Sequence, residues 1–293
     1  MRWSDITDTS KTNVVTQSDE ITCDICMHHC RLRNGTTGRC RNRKNVAGKN
    51  ISVNYGLITS IALDPIEKKP LAFFHPGSKI LSVGSFGCNF DCPFCQNHSI
   101  AAASIENTIT DFYSPTELAE LAVKMKTHGN IGVAYTYNEP MIGYEYIRDT
   151  ASEVKKRGMI NVVVTNGSAT SVILNEVLPY IDAYNIDLKG FTDAFYRKIG
   201  GDIKTVMKFI EIVADKAHVE LTTLIIPDEN DSLAEMRKLS AWVASVNPGI
   251  PLHLTRFFPY GRMSDKKPTD IRVMRFLADI ARENLETVIL GNI

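Results

Sequence analysis

Three of the seven cysteines, Cys88, Cys92 and Cys95, are spaced C-x3-C-x2-C, close enough along the chain to share one inorganic cluster. A cubane [4Fe–4S] cluster is usually held by four thiolates. Three thiolates hold three irons and leave the fourth open, as an open coordination position does in a catalytic metal site. An open iron on a reducing cluster can bind a ligand through amino and carboxylate groups and pass it an electron. The competing readings are zinc with His98 as a fourth ligand, a disulfide, or plain buried thiols. Structural zinc takes four ligands, the nearest other cysteine is Cys40, and an odd number of cysteines cannot all pair. The cluster reading is therefore preferred.

A second group, Cys23, Cys26, Cys30 and Cys40, is spaced C-x2-C-x3-C-x9-C, with Gly35 and Gly38 letting the chain turn back. Four thiolates suit a tetrahedral zinc site and equally a second iron–sulfur cluster. Zinc is taken first, because no electron-transfer path is evident nearby. His28 and His29 could substitute as ligands, but surface residues are the commoner case.

The elements that must position these groups follow from hydrophobic periodicity. Residues 80–86 (ILSVGSF), immediately before the first cysteine loop, form an apolar run suited to a buried parallel strand. Residues 131–135, 161–165, 183–188, 219–226 and 252–257 read as further strands. Between them lie amphipathic helical stretches. The clearest starts at Ser114-Pro115-Thr116-Glu117, a capping box with proline at the first helical position, followed by the stripe Leu118, Leu121, Ala122 and Met125. Leu233, Met236, Leu239, Val243 and Val246 form another. Residues 50–63 read as short β-rich structure with a turn or bulge at Gly56. Strand–helix alternation predicts right-handed parallel βαβ units. The expected fold is α/β, a partial (β/α)6 barrel with its site at the carboxyl ends of the strands; a doubly wound open sheet is the alternative.

Polar strings stand at those strand ends: Tyr137-Asn138-Glu139-Pro140, Thr165-Asn166-Gly167, Asp187-Leu188-Lys189, residues 227–231 and residues 256–260. Each alone is a common turn or cap. Their recurrence beside a cysteine loop points to a site, with Glu139 as an acceptor for an ammonium and Lys189 as a cation for a carboxylate. Lys68, Lys69 and His75 cover the site or lie on solvated surface, His253 points into the barrel or, as the commoner case, is a satisfied core histidine, and Phe73 and Phe74 are core or contact residues.

Formal net charge is zero over 293 residues, with 44% apolar and 23% charged residues. That balance gives no global attraction to nucleic acid or anionic membrane. No run of eighteen apolar residues occurs, so no membrane span is expected. Residues 1–20 lack an apolar signal region, and a reducing cytoplasm is the expected setting. The division expected is a flexible segment over 1–20, a cysteine-rich region over 21–75 and the barrel over 76–293.

The string Gly87-Cys88-Asn89-Phe90-Asp91-Cys92-Pro93-Phe94-Cys95-Gln96-Asn97 resembles the radical SAM superfamily motif, with an aromatic before the third cysteine and an asparagine two residues after it. With the N-terminal cysteines, residues 63–71, His75-Pro76-Gly77-Ser78, the strand-end strings and Gly291-Asn292-Ile293, the chain from Cys23 onward resembles the radical SAM enzymes of the AmmeMemoRadiSam system, relatives of pyruvate formate-lyase activating enzymes. The resemblance implies that Cys88, Cys92 and Cys95 bind a [4Fe–4S] cluster and that Phe94 packs near the adenine of S-adenosylmethionine (SAM). It places Asn138, Glu139 and Pro140 at the SAM amino group, and Thr165, Asn166, Asp187 and Lys189 along the ribose and carboxylate. It implies reductive SAM cleavage, hydrogen abstraction by a 5′-deoxyadenosyl radical, an electron donor of the flavodoxin or ferredoxin kind and, in its glycyl-radical-activase form, a protein substrate. Val164 stands where the activating enzymes usually carry an aspartate, so a cation site built on that residue is not expected. A radical SAM enzyme modifying a small molecule or RNA is an equally open form, and the opposing function class is an iron–sulfur or zinc scaffold that positions a partner without radical chemistry.

Overall fold

The computed structural model describes residues 20–293; the flexible segment expected over 1–20 lies, but for residue 20, outside the described residues. An eight-stranded sheet forms the frame: β6 (Ser60–Pro65), β7 (Lys79–Gly84), β9 (Asn130–Tyr135), β10 (Ile160–Thr165), β11 (Ala183–Asp187), β12 (His218–Ile225), β13 (Leu252–Arg256) and β14 (Val288–Gly291). They lie in the order β14-β13-β12-β11-β10-β9-β7-β6. Every pairing from β7 to β14 is parallel, and β6 joins the edge antiparallel to β7. Six strand–helix crossovers run through α2 (Pro115–Lys124), α3 (Tyr144–Lys156), α4 (Ser171–Val177), α6 (Ile203–Ala214), α7 (Leu233–Val246) and α8 (Ile271–Arg282). The partial (β/α)6 architecture is as expected. The seventh parallel strand, β14, went unread because its four residues follow a helix and end in glycine.

Alternation along each strand separates two cores. Leu81, Val83, Val133, Tyr135, Val163 and Ile186 belong to the large core with the helices. Ile80, Ala134, Val162 and Ala183 point the other way, into the barrel, and meet Ile66 and Leu71. Both of the latter are fully buried, each contributing roughly 1.5–3 kcal/mol of apolar burial. The segment between β6 and β7 thus plugs the barrel interior. It is fastened by Glu220, whose carboxylate accepts the backbone N–H of Ala72 at 2.9 Å and of Phe73 at 2.8 Å. Phe73 itself is 54% exposed and not a core residue, because its backbone rather than its ring makes the attachment. Lys69 is buried, paired with Asp64 at 2.9 Å under the Tyr137 ring. Helix α2 opens on the expected capping box at Ser114 and Glu117.

The cysteine-rich region packs on the carboxyl ends of the strands. It contains β1 (Glu20–Thr22) paired with β2 (Arg31–Arg33) and β3 (Arg43–Val46) paired with β4 (Lys49–Ser52). Arg43, 2% exposed, forks onto Glu145 of α3 at 2.7 and 2.8 Å. Such a bidentate charged pair fixes orientation as well as proximity. Thr170 N–H donates to Ile25 O, tying the region to the loop after β10. Strand β6, on the N-terminal side of residue 75, is part of the barrel sheet itself. Among the described residues no helix is long and apolar enough to cross a membrane.

Candidate active site

Strand β7 ends at Gly84, and the chain turns through Gly87 into the cysteine loop. Gly87 has φ +88°, and a Cβ there would meet Cys40 O at 2.5 Å. Glycine is needed both for the left-handed backbone and for the close approach of the N-terminal cysteine region. Asn138 clamps the same turn: its Oδ1 accepts Ser85 N–H at 3.1 Å and its Nδ2 donates to Gly87 O at 3.0 Å. A clamp of this kind positions the loop rather than offering both ends of the amide to a ligand.

The loop delivers Cys88, Cys92 and Cys95 to the wall of a cavity of about 740 Å³, together with Phe94, Asn138, Glu139, Thr165, Asn166, Asp187 and Lys189. Pro140 lies behind the wall, starting a short helical turn. Phe94 is buried and stacked on Phe195, with planes 12° apart. No cysteine is in a disulfide. Burial pushes the Cys88, Cys92 and Cys95 thiols up, Cys92 to about 11. Thiols so buried ionise when a metal's charge compensates their desolvation. Among the described residues no three His, Cys, Asp or Glu side chains are gathered as if round one ion.

Glu139 follows β9 and is 2% exposed. Its Oε1 accepts from Thr165 Oγ1 at 2.7 Å and Met141 N at 3.0 Å, and its Oε2 from Asn166 N at 2.7 Å. Burial pushes its carboxyl up to about 7 despite these donors and Lys189. Three acceptor positions are used, leaving one for a ligand. Across the cavity Lys189 donates to Asp187 at 2.7 Å. Burial opposes its charge, but Asp187, Cys92 and Cys95 outweigh it and raise the ammonium above its ordinary value.

Not every expected residue reaches the cavity. Asn230 turns back to bind Ile226 N–H and Lys189 O, and Arg256 binds Thr269 O and covers Phe258. The strings at residues 227–231 and 256–260 are thus loop and cap structure, because side chains such as Asn230 and Arg256 satisfy backbone groups. Other residues were missed. Thr222, Leu224 and Thr255 line the cavity from within β12 and β13. His253 is buried and satisfied by Glu220, which its Nε2 meets at 2.6 Å, and its ring also forms part of the cavity wall, facing the barrel interior. Burial would raise the Glu220 carboxyl, but His218, His253 and the plug N–H groups hold it down, to about 2. The signal was available: Glu220, Thr222 and Leu224 alternate along a strand flanked on both sides, and alternate residues face the barrel interior. His28 is not merely a surface residue; its Nε2 donates to Asn89 O at 2.9 Å.

Among the N-terminal cysteines, Cys23, Cys26 and Cys40 are buried and Cys30 half-buried. Burial raises Cys26, to about 11, and Cys40; Cys23 adds to both, and Cys30 to Cys40. The four thiols are near neighbours, although not drawn to a single point.

This combination of a cysteine loop at the first parallel strand and a polar cavity at the strand ends agrees with comparison to known proteins. The radical SAM superfamily model matches residues 82–239, and the chain belongs to that superfamily, whose members use a [4Fe–4S] cluster and SAM. The uncharacterised protein MJ0808 of Methanocaldococcus jannaschii is 35% identical over 279 residues, spanning 94% of this chain and 82% of its own. Among solved structures, TYW1 with a lysine–pyruvate adduct aligns at TM-score 0.54 and 18% identity, over 77% of this chain and 83% of that one. Streptococcus suis SuiB bound to S-adenosylmethionine aligns at 0.55 and 12%, over 72% of this chain and 51% of that one. These identities establish a shared fold. A domain of pyruvate-formate lyase-activating enzyme from Bacteroides vulgatus aligns at 0.48 and 19%, over 55% of this chain and 99% of that one.

Proposed function

We propose that Cys88, Cys92 and Cys95 hold the [4Fe–4S] cluster and that SAM lies against Phe94, Glu139, Thr165, Asn166, Asp187 and Lys189. The observation that carries this reading is that all nine side chains line one cavity. Bound there, cluster and SAM supply reductive cleavage of a carbon–sulfur bond and a 5′-deoxyadenosyl radical that abstracts hydrogen. The chain's own residues bind and orient. Glu139 offers its remaining acceptor position to the ammonium, and the Lys189 ammonium faces the carboxylate. Phe94 offers an apolar face to the adenine. Asn138 acts through the loop it clamps, and Pro140 through the turn that aims Glu139.

Cys23, Cys26, Cys30 and Cys40 form a four-thiolate site in this reading, for zinc or a second cluster. The electron donor is a flavodoxin- or ferredoxin-like protein. In its most specific form the enzyme is an oxidoreductase of the AmmeMemoRadiSam kind, resembling glycyl-radical activases and acting on a partner protein. The strings at residues 63–71, 75–78 and 291–293 support that form. The test is anaerobic reconstitution with iron and sulfide, comparing wild type with a variant in which Cys88, Cys92 and Cys95 are all alanine. About four fewer irons and a lost SAM-induced spectral change in the variant are expected; equal iron and an equal response would overturn the assignment.

A further inference from the structure

A closed circuit of buried amides lies behind Cys88. Asn89, Asn166 and Ser168 are each 5% exposed or less. Asn166 Nδ2 donates to Asn89 Oδ1 at 2.9 Å, Asn89 Nδ2 donates to Ser168 Oγ at 2.7 Å, and Ser168 donates to Asn166 Oδ1 through its hydroxyl and, at 3.1 Å, its N–H. Only one orientation of the two amides satisfies this ring, since reversing either would set donor against donor. With one Nδ2 hydrogen of Asn166 on Asn89, the other is directed at Cys88 Sγ, 3.9 Å away. Phe90 N–H reaches the same sulfur at 3.4 Å. The circuit is anchored on its far side by the cysteine-rich region: His28 Nε2 donates to Asn89 O at 2.9 Å.

We propose that Asn89 is a positioning residue that locks the Asn166 amide onto the Cys88 sulfur and so makes the reduction potential of the cluster depend on the docked N-terminal cysteine region. The inference rests on the assignment of Cys88 as a cluster ligand. Its physical basis is that an N–H donor to a cluster sulfur stabilises the more negative, reduced state, and such outer hydrogen bonds tune the metal. Removing Asn89 frees the Asn166 amide to rotate, the donor is lost, and the reduced state becomes harder to reach.

The experiment is a redox titration followed by electron paramagnetic resonance, on reconstituted full-length protein without SAM or any substrate. Wild type, Asn89→Ala, His28→Ala, Asn166→Leu and the double variant Asn89→Ala/Asn166→Leu are compared, with iron content measured for each. Asn89→Ala and Asn166→Leu are expected to keep their iron and shift to more negative potential. His28→Ala shifts the same way by less. The double variant shifts no further than Asn166→Leu, since residues of one network do not add. If Asn89→Ala fails to load iron, Ser168→Ala, which removes the hydroxyl shared by both amides, gives the same reading. A wild-type potential in Asn89→Ala, or full additivity in the double variant, would overturn the proposal. Full iron in a protein lacking Cys88, Cys92 and Cys95 would instead remove the cluster assignment on which it stands.

Discussion

Glu139 and Asn166 are joined across neighbouring strand ends by a 2.7 Å bond from the Asn166 backbone N–H to Glu139 Oε2. The backbone of Asn166 thus aims the carboxylate, while its side chain addresses Cys88. One residue after β10 touches both the proposed ammonium acceptor and the proposed cluster ligand.

The carboxyl of Glu139, pushed up to about 7, sets a pH dependence with a definite sign. SAM affinity should rise by up to about tenfold per pH unit below 7 and flatten above it. Glu139→Gln should bind SAM roughly 10–100-fold more weakly at pH 8, as loss of a hydrogen bond to a charged group implies, and without that slope. Isothermal titration of the reconstituted proteins between pH 6 and 8 measures both. In the metal-free protein the raised carboxyl works the other way. The folded state holds its proton longer, so stability falls as pH rises from about 4.5 toward 7, and Glu139→Gln should abolish that fall.

Glu220 has the opposite shift. Held down to about 2, it contributes stability that is fully present above its ordinary value near 4.5 and lost as pH falls toward 2. Glu220→Ala leaves His218, His253 and the plug N–H groups without their acceptor and should cost about 1–3 kcal/mol at pH 7 for each buried donor left unsatisfied. Denaturant unfolding at pH 7 and pH 3 should show the gap narrowing in acid. Hydrogen exchange at Ala72 and Phe73 should accelerate in the variant.

Gly87→Ala should damage the link between the two cysteine groups. The left-handed backbone alone costs about 1–2 kcal/mol, and the added Cβ meets Cys40 O. Reduced metal loading is expected at both cysteine groups, iron at the Cys88 loop and zinc or iron at the N-terminal one, read by metal analysis. Loss at the Cys88 loop alone would mean that the contact is not transmitted.

The frame of the barrel is legible in the sequence because its strands are continuous apolar runs and α2 carries a complete capping box. The cysteine loop is equally legible, since its ligands are neighbours in the chain. What could not be read are groups brought together by distant parts of it. Asn89 meets Ser168 across 79 positions, and Glu220 meets Ala72 across 148. Residues 227–231 and 256–260 misled because a polar loop serving its own backbone has the same composition as one serving a ligand. Thr222 and Thr255 were hidden inside strands, where polar residues face the cavity because the barrel, unlike a flat buried sheet, has an interior.

The central claim is that Cys88, Cys92 and Cys95 cooperate with the Glu139 and Lys189 side of one cavity to cleave SAM. The most direct measurement is 5′-deoxyadenosine, scored by mass spectrometry after anaerobic reconstitution and addition of reductant and SAM, for wild type and Cys92→Ala. The account predicts product from wild type without added substrate and none from Cys92→Ala. A fully loaded wild-type cluster that binds SAM and yields no 5′-deoxyadenosine, or equal product from Cys92→Ala, would contradict it.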